Sequence, residues 1–414
     1  MSLILINLRR AEDRRDVIHR AVQTLAEGKL VVFPTETEYV VAASARSVSG
    51  VRRLVQWSKG SAADGSLLEG QRSARPLAAE GRSGPSEDPR GARAGLCLGI
   101  RGVEDALDYV PQLRGVALRL ARRCWPGPVE LALAPESHES LLRQLPREVG
   151  EAVAPEGELW LRTPAHPAVL EVLQMSAGPL VLATAERACG KLLATSEEAV
   201  RCLRGTASLV LDDGPCRYGQ AATAVRAGAR HYACLREGVV PATALERLAS
   251  MLIVVVCTGN TCRSPMAEAL LRRLLAERLG CEETALGQFG IEVASAGIAA
   301  ASGSRASPEA VEAMRQRGLD IACHASQPLT ENLVRDADLI LTLTGGHRHA
   351  IVSRWPEVAA RVATLRADQG DVDDPIGAPS AVYRQCAAQI EQALKERMAE
   401  WDLDNFLGGG SRKD

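Results

Sequence analysis

Runs of apolar residues separated by polar loops predict two successive α/β regions along this chain. The clearest run is 251–256, which is apolar without interruption, as is typical of a parallel strand buried on both faces. After a polar loop, the next segment places four leucines on one helical face: Leu270, Leu271, Leu274 and Leu275.

The loop between this strand and helix begins with Cys257. Ser264 and Pro265 suit the N-cap and first turn of the helix, and Gly280 suits its C-terminal end. A cysteine at the end of a strand, below loop amides and a helix N-terminus, makes an anion site with a nucleophile at its base.

The N-terminal region has its own alternation of helix and strand patterns. Residues 13–27 suit a helix that Gly28 closes, and 29–33 suits a strand. Further apolar runs predict later strands at 129–133, 157–161, 180–183 and 208–211. From about residue 60 to 95 the pattern gives way to Gly, Ser, Ala, Arg and Pro, which predicts a flexible insertion.

The length of 414 residues favours two domains over one core. We predict domains at 1–245 and 251–404, and a disordered tail at 405–414. A net charge of −2 argues against a broad surface for coating nucleic acid. The eleven cysteines show no metal-ligand spacing, so a zinc site is not expected. The sequence has no signal-peptide pattern and no apolar run long enough to span a membrane. We therefore expect a soluble cytoplasmic protein.

Cys257 and Arg263 stand in Cys-x5-Arg spacing. The helix N-terminus, the loop amides and Arg263 should favour the thiolate of Cys257 and hold the oxygens of a phosphoryl group. A thiolate in line behind phosphorus would form a phosphocysteine, and an acid must protonate the leaving group. Asp374, before Pro375, is the candidate acid, and Asp373 is its rival.

The C-terminal half resembles the low-molecular-weight protein-tyrosine-phosphatase family over its whole length. The matching pieces are the 257–264 loop, 293–297, 336–344 and Asp374-Pro375. The resemblance implies a doubly wound parallel sheet, Cys257 as nucleophile, Arg263 as phosphate ligand, Asp374 as acid and no cofactor. It also implies a phosphate-binding loop formed by Thr258, Gly259, Asn260, Thr261, Cys262 and Ser264, in which Asn260 and Ser264 support the thiolate.

Thr261 raises the question of substrate, because tyrosine phosphatases of this family usually carry a bulky aliphatic residue there. Thr261 and the small residues after Pro375 resemble the protein-arginine-phosphatase branch, whereas Ile376 replaces the aromatic residue usual in that branch. A phosphoguanidinium is rich in N–H donors and suits a hydroxyl better than an aliphatic wall. The alternative is that Thr261 only packs the loop and the substrate is phosphotyrosine.

Cys262 lies close enough to Cys257 in sequence to form a reversible disulfide that would protect the nucleophile from irreversible oxidation. The family resemblance supports this redox role. A small residue that packs the loop is the alternative.

The N-terminal region resembles the YrdC-like threonylcarbamoyl-AMP synthases. The matching pieces are 33–39, 125–128, 162–167, 212–214, 222–225 and 236–238. The resemblance implies a twisted α/β domain with a concave, positively charged face. That face would bind ATP with Mg²⁺, and nucleotide or double-stranded RNA. The candidate nucleotide contacts are Thr35, Lys59, Arg162 and Thr184.

Departures from that family pattern favour a domain that has lost catalysis. Where the family has a Tyr-Gly-Leu-Gly turn whose glycines let backbone approach a ligand, Tyr39 is followed by Val40-Val-Ala-Ala43. Ser61 replaces a cation after Lys59. Glu186 brings a carboxylate to the place of a neutral nucleotide ligand, where it would repel a triphosphate.

Three functions stay open at this point. The first is a phosphatase with a degenerate, non-catalytic N-terminal module. The second is a bifunctional enzyme that also makes threonylcarbamoyl-AMP from threonine, bicarbonate and ATP. The third is an interaction protein with neither activity, which the intact phosphatase loop argues against.

Overall fold

A computed structural model describes residues 3–59, 96–203 and 205–401. These residues divide into two compact units. The described part of the first unit lies within Met1–Leu113, Cys124–Gly228 and Tyr232–Ala242, and that of the second within Arg114–Arg123, Ala229–His231 and Thr243–Asp414. The predicted insertion at about 60–95 and the predicted tail at 405–414 lie outside the described residues.

The strands of the first unit form one mixed sheet. They are β1 (Ile4–Asn7), β2 (Val31–Pro34), β3 (Tyr39–Ser44), β4 (Leu96–Gly99), β5 (Val129–Leu133), β6 (Leu159–Arg162), β7 (Leu180–Ala183), β8 (Leu209–Asp212), β9 (Thr223–Ala227) and β10 (Tyr232–Arg236). Their order across the sheet is β1-β8-β2-β3-β7-β4-β6-β5-β9-β10. The strands predicted at 129–133 and 180–183 are confirmed with those bounds, and those predicted at 157–161 and 208–211 begin within two residues of the observed ones.

Several helices precede residue 251 in the chain. They are α1 (Arg14–Ala26), α2 (Val48–Ser58), α3 (Val103–Tyr109), α4 (Gly115–Cys124), α5 (Arg147–Val153), α6 (Pro167–Met175), α7 (Glu186–Cys189), α8 (Ser196–Cys202) and α9 (Ala242–Ala249). Of these, α4 and α9 lie mostly in the second unit. Asp13 caps α1 by accepting from the backbone N–H of Arg15, and Gly28 ends it with φ of +71°. The helix predicted before Gly28 is therefore confirmed.

The second unit contains a smaller sheet in which every strand pair is parallel. Its strands are β11 (Met251–Cys257), β12 (Ile291–Gly297), β13 (Leu339–Thr342) and β14 (Val362–Thr364), in the order β12-β11-β13-β14. Its further helices are α10 (Arg263–Leu279), α11 (Pro308–Arg315), α12 (Glu331–Asp336), α13 (Gly345–Arg354) and α14 (Ser380–Ala399). The predicted doubly wound parallel sheet is confirmed.

Strand β11 is buried on both faces, which explains its continuous apolar sequence. Val255 and Cys257 face one core, which also contains leucines of α10 and residues of α11 and α14. Val254 and Val256 face the other core, together with Val334 of α12. The two cores fix β11 from both sides, so the residue at its end has a defined position.

The start of α10 differs from the sequence prediction. The helix begins at Arg263, and Cys262 stands at the N-cap without a side-chain cap hydrogen bond. Ser264 therefore lies in the first turn and is not the N-cap, because its hydroxyl is used by groups of the preceding loop. Gly280 ends the helix with φ of +66°, as predicted.

Most of α4 belongs to the second unit, although it lies within the predicted N-terminal domain. Nη2 of Arg123 is 2.7 Å and Nε of Arg119 is 3.4 Å from Oδ2 of Asp338. The same carboxylate accepts from the backbone N–H of Leu252 at 2.9 Å. These contacts connect α4 to the beginning of β11.

Cys189 and Cys202 form a disulfide bond between α7 and α8, and the other nine cysteines are not part of a disulfide. The cytoplasmic location predicted from the sequence does not account for this pairing, because disulfides are rare in cytosolic proteins. Within the described ranges, the helices are all too short or too polar to cross a membrane.

Candidate active site

Cys257 is the last residue of β11 and lies at the carboxyl edge of the parallel sheet. Its strand pairs with β12 on one side and with β13 on the other, so the chain reverses its direction of winding at β11. Ligands of open α/β sheets bind in the crevice at such a switch point, outside the carboxyl ends of the strands. The topology therefore places the 258–262 loop where a ligand site is expected.

The thiol of Cys257 is buried and has two polar neighbours within the loop and helix. Its Sγ lies 3.0 Å from Oγ of Ser264 and accepts from the backbone N–H of Asn260 at 3.3 Å. Since Nδ2 of Asn260 donates to Oγ of Ser264 at 2.9 Å, the hydroxyl proton of Ser264 is available to Sγ. Both groups can therefore stabilise negative charge on sulfur.

Asn260 holds the shape of the loop. It is fully buried and has φ of +54°, a conformation that residues other than glycine adopt rarely. Its Nδ2 also donates to Oγ of Ser295 at 2.9 Å, and its Oδ1 accepts from the backbone N–H of Gln327 at 2.9 Å. These hydrogen bonds tie the loop to β12 and to the segment before β13, and they offset the cost of the positive φ.

Gly297, at the end of β12, lies against the same loop. A Cβ atom at this position would be 2.5 Å from the carbonyl oxygen of Thr258 and 3.0 Å from the backbone nitrogen of Asn260. Only glycine permits this approach without movement of the loop backbone.

Arg263 is buried beside the loop, and its guanidinium has two acceptors. Nη1 donates to the carbonyl oxygen of Val372 at 3.2 Å, and Nη2 forms an ion pair with Oδ2 of Asp374. The side chain of Asp374 is 45% exposed, so this carboxylate faces both Arg263 and solvent. Asp373 is also exposed, and its backbone N–H donates to Oε1 of Gln389 at 3.3 Å. The geometry thus favours Asp374 over Asp373 as the partner of the loop.

Two histidines contact the loop in ways that the sequence alone did not reveal. Nε2 of His347 lies 2.9 Å from Oγ1 of Thr258, and Nε2 of His324 lies 2.8 Å from the carbonyl oxygen of Asn260. Burial lowers the pKa of His347, and the nearby Arg263 lowers it further. A lowered pKa favours the neutral form of His347, which adds no positive charge beside that of Arg263.

Thr261 is partly exposed at the rim of the loop. The segment after Pro375 supplies Ile376, whose surface is 71% exposed, and Gly377, which has φ of +74°. None of the three residues directly after Pro375, at 376–378, is aromatic. The hydroxyl of Thr261 and the aliphatic side chain of Ile376 are therefore the groups that a substrate side chain could contact here.

Cys262 is buried and free, and it faces helix α14. Its Sγ lies 3.6 Å from Oη of Tyr383 and 3.5 Å from Oγ of Ser307. Burial raises the pKa of Tyr383 to about 12, so the phenol stays protonated at neutral pH. Cys257 and Cys262 are both reduced thiols in this structure.

The candidate nucleotide contacts of the first unit have other neighbours. Oγ1 of Thr35 donates to the carbonyl oxygen of Glu38 at 2.6 Å and accepts from two backbone N–H groups of the same turn. Lys59 is exposed at the end of α2, and Thr184 is partly buried after β7. Because the hydroxyl of Thr35 already closes a turn, it is not presented to a ligand.

Arg162 is also committed to protein groups. It is fully buried, and Nη2 donates to Oε1 of Glu36 and to Oγ1 of Thr37, each at 2.8 Å. Nη1 lies 3.9 Å from Oε1 of the buried Glu130. The carboxylates of Glu36 and Glu130 thus neutralise Arg162, which the sequence suggests as a nucleotide contact.

Glu38 adds a further acidic group beside Arg162. Its side chain is fully buried, and burial raises its pKa to about 7 despite the opposing effect of Arg162. Glu186 stands near the surface, with Oε2 at 3.6 Å from Nη1 of Arg236. Among these described side chains the carboxylates outnumber the cations, which disfavours binding of a triphosphate.

Comparison with known proteins identifies two families. The model of "Low molecular weight phosphotyrosine protein phosphatase" matches residues 252–405, and the Sua5/YciO/YrdC model, described as "Telomere recombination", matches residues 89–238. The N-terminal unit is therefore similar to the Sua5/YrdC family over residues 89–238, and the C-terminal unit contains a phosphatase domain.

Two curated relatives match the C-terminal part. A protein-arginine-phosphatase of Bacillus subtilis is 40% identical over 150 residues, which are 35% of this chain and 93% of that protein. A probable low-molecular-weight protein-tyrosine-phosphatase, EpsP of Ralstonia solanacearum, is 42% identical over 143 residues, which are 34% of this chain and 90% of that protein. Among solved structures, Sua5 of P. abyssi is 24% identical with a TM-score of 0.46, covering 67% of this chain and 76% of that chain.

Substitution of Gly297 by alanine tests the close approach to the loop. We expect Gly297→Ala to lose most phosphatase activity and about 1–3 kcal/mol of stability, because the new Cβ displaces the backbone at Thr258 and Asn260. Gly287→Ala is the matched control, since a Cβ there meets no atom within 4 Å. Phosphatase assays and thermal unfolding of both variants provide the measurement. Equal behaviour of the two variants would contradict the described packing.

The pKa of Glu38 predicts a pH dependence of stability for the first unit. Between its ordinary value of 4.5 and about 7, the unfolded state loses its proton before the native state does, so stability falls as pH rises. Above pH 7, ionisation of the buried Glu38 lowers the free energy of unfolding by about 3 kcal/mol, and below pH 4.5 this loss is absent. Glu38→Gln lacks this titration.

The difference in melting temperature between Glu38→Gln and the wild type should therefore grow in favour of the variant from pH 5 to pH 8. Thermal unfolding across that pH range measures it. A difference that stays constant with pH would show that Glu38 ionises normally in the folded chain.

Proposed function

Through residues 252–405 the chain belongs to the low-molecular-weight phosphotyrosine protein phosphatase family, and we propose that it hydrolyses phosphorylated proteins through a phosphocysteine at Cys257. The observation that supports this proposal best is the position of Cys257 between the Ser264 hydroxyl and the Asn260 amide, with the Arg263–Asp374 pair beside the same loop.

In the first step, the thiolate of Cys257 attacks phosphorus, and the bond from phosphorus to the leaving oxygen or nitrogen breaks. The loop amides and Arg263 hold the three equatorial oxygens as charge builds on them. For this to occur, Arg263 exchanges part of its contact with Asp374 for the phosphoryl group. The thiolate is supported by Ser264 and Asn260.

Asp374 provides the proton that the leaving group needs and returns to the carboxylate form. In the second step it takes a proton from a water molecule, which attacks the phosphocysteine and breaks the phosphorus–sulfur bond. Inorganic phosphate then leaves, and Cys257 is again a thiolate. These steps use side chains and backbone amides of this chain, and water.

We propose phosphoarginine as the preferred substrate. The two relatives do not decide this, because one is named an arginine phosphatase and the other a probable tyrosine phosphatase at nearly equal identity. The support comes from the partly exposed Thr261, whose Oγ1 has a long contact of 3.7 Å with Sγ of Cys262, and from the lack of an aromatic residue at 376–378. A guanidinium can donate to that hydroxyl, whereas a phenol ring finds no stacking partner there.

We also propose that Cys262 protects the nucleophile by forming a reversible disulfide with Cys257 when the enzyme is oxidised. Its contacts with Tyr383 and Ser307 must break for this to happen.

For the N-terminal unit we propose a role without catalysis, as a binding module. The supporting observations are the neutralised Arg162, the internally bonded Thr35 and the buried Glu38. The alternative is a bifunctional enzyme that uses ATP and Mg²⁺ to make threonylcarbamoyl-AMP. Binding of RNA by this unit is a prediction of the family resemblance.

Hydrolysis of matched phosphoarginine and phosphotyrosine peptides tests the substrate proposal. We expect the full chain to prefer phosphoarginine, and Thr261→Val to lower that preference about tenfold to a hundredfold, since one hydrogen bond to a charged group is lost. Thr261→Ser keeps the hydroxyl and should keep the preference, and Cys257→Ser is the blank. A tyrosine preference that is equal in all the active variants would overturn the assignment.

The role of Asp374 is tested by comparing Asp374→Asn with Asp373→Asn. Asp374→Asn should lower kcat by about a hundredfold to ten-thousandfold on phosphoarginine, whereas Asp373→Asn should stay near the wild type. On aryl phosphates the loss should shrink as the phenol becomes more acidic, because such leaving groups need less protonation. If Asp373→Asn shows the larger loss and the leaving-group dependence, the assignment of the acid is wrong.

A further inference from the structure

Helix α13 holds His347 in a fixed place beside the phosphate-binding loop. Thr344 caps this helix, and its Oγ1 accepts from the backbone N–H of His347 at 3.1 Å. The backbone N–H of Gly345 donates to Oδ1 of Asp371 at 2.7 Å, which ties the start of the helix to the segment before Asp374. His347 is buried, so its backbone and its ring are both constrained.

The ring of His347 has one hydrogen-bond partner among the described residues. Nε2 lies 2.9 Å from Oγ1 of Thr258, whereas Nδ1 is buried and has no partner. A proton on Nδ1 would therefore be a buried N–H without an acceptor, which is rare in native proteins. A proton on Nε2 leaves only a lone pair unmatched, so Nε2 is the donor and the hydroxyl oxygen of Thr258 accepts.

The surroundings of the ring favour this neutral tautomer. Burial lowers the pKa of His347, and the cation of Arg263 lowers it further. The carboxylates of Asp371 and Asp374 act in the opposite direction with a smaller effect. A neutral ring keeps its proton on Nε2 and presents it to the loop.

Thr258 is the first loop residue after the nucleophile, and it is exposed. Its carbonyl oxygen accepts from the backbone N–H of Ala299 at 3.0 Å, and that of Cys257 accepts from the backbone N–H of Ile298 at 3.0 Å. Within the described residues, the hydrogen bond with His347 is the one that fixes the side chain of Thr258. Thr258 is thus held at its main chain by the segment after β12 and at its side chain by α13.

The orientation of Thr258 matters for phosphoryl transfer. The peptide plane between Thr258 and Gly259 has the carbonyl bound by Ala299 on one edge and an amide N–H on the other. Loop amides stabilise the transition state only if they point at the phosphoryl oxygens before charge builds there. Gly259 offers little resistance to rotation, because it has no Cβ. A second contact at Thr258 therefore restrains the loop where its own residues restrain it least.

We propose that His347 is a positioning residue for phosphoryl transfer, which acts by donating from Nε2 to the hydroxyl of Thr258 and so keeps the start of the loop in its catalytic conformation. His347 acts through Thr258 and does not touch the reacting atoms. This inference rests on the proposed phosphocysteine mechanism at Cys257.

Kinetics of His347→Asn and His347→Gln in the full chain test the inference. The amide nitrogen of glutamine can take the place of Nε2, whereas that of asparagine lies one bond closer to the backbone and does not reach Thr258. We expect His347→Asn to lower kcat about tenfold to a hundredfold with KM nearly unchanged, because a misplaced loop weakens binding of the transition state most. His347→Gln should recover most of that loss.

Binding of orthovanadate gives a second readout. Its five-coordinate adduct with a thiolate resembles the transition state, so its affinity should fall by the same factor as kcat in His347→Asn. His349→Asn changes an exposed histidine on the same helix and is the matched control, which should behave as the wild type does. Equal losses in His347→Asn and His347→Gln, or no loss in His347→Asn, would overturn the proposal.

A double-mutant cycle tests whether Thr258 transmits the effect. Thr258→Val removes the hydroxyl and keeps the shape, so it should lower kcat by a similar factor. In that background His347→Asn should cause little further loss, because the hydrogen bond is already absent. Independent losses that multiply would contradict the proposed connection.

Two controls separate this inference from the mechanism beneath it. Titration of the reactive thiol with iodoacetate counts intact sites, so that kcat is compared per site and not per folded fraction. Turnover that persists in Cys257→Ser would overturn the phosphocysteine mechanism and this inference with it. Turnover that depends on Cys257 but is normal in His347→Asn would overturn this inference alone.

Discussion

The hydrogen bonds of Asn260 are the interaction on which the phosphatase site depends. One side chain holds a residue with positive φ in place, connects the loop to Ser295 and Gln327, and directs the Ser264 hydroxyl to the sulfur of Cys257. The backbone amides and the nucleophile are therefore positioned before a substrate arrives. Such preorganisation is the main source of catalytic power in phosphoryl transfer, where the protein stabilises charge that spreads over the phosphoryl oxygens.

The two units use buried arginines in opposite ways. Arg263 has one exposed carboxylate partner, Asp374, and can exchange that contact for a phosphoryl group. Arg162 lies between Glu36 and Glu130 in the interior, where giving up a partner would leave an unpaired buried charge. An arginine in a family motif is therefore a phosphate ligand only where its counter-ions are weak or can leave. This physical difference is the basis of our proposal that the second unit is catalytic and the first is a binding module.

Much of the phosphatase unit could be predicted from sequence. Strand β11 is buried on both faces, and its continuous apolar run predicts a strand of that kind. The choice between Asp374 and Asp373 could not be predicted from sequence, because two adjacent aspartates differ only in the direction of their side chains. Ser264 is not the N-cap that its position predicts, because its hydroxyl contacts Cys257 and Asn260 of the loop instead. The isolation of Glu38, whose carboxylate oxygens have no hydrogen-bond partner among the described residues, was also hidden, because a local motif does not report whether a buried carboxylate finds partners on distant strands.

The measurement that tests the central claim most directly is trapping of the covalent intermediate. The full chain would be mixed with a phosphoarginine peptide, quenched in acid during turnover, digested and analysed by mass spectrometry. The account predicts one phosphoryl group on the peptide that contains Cys257, which disappears as substrate is exhausted. Phosphate release at an undiminished rate by Cys257→Ser, or a phosphoryl group on a different residue, would contradict it.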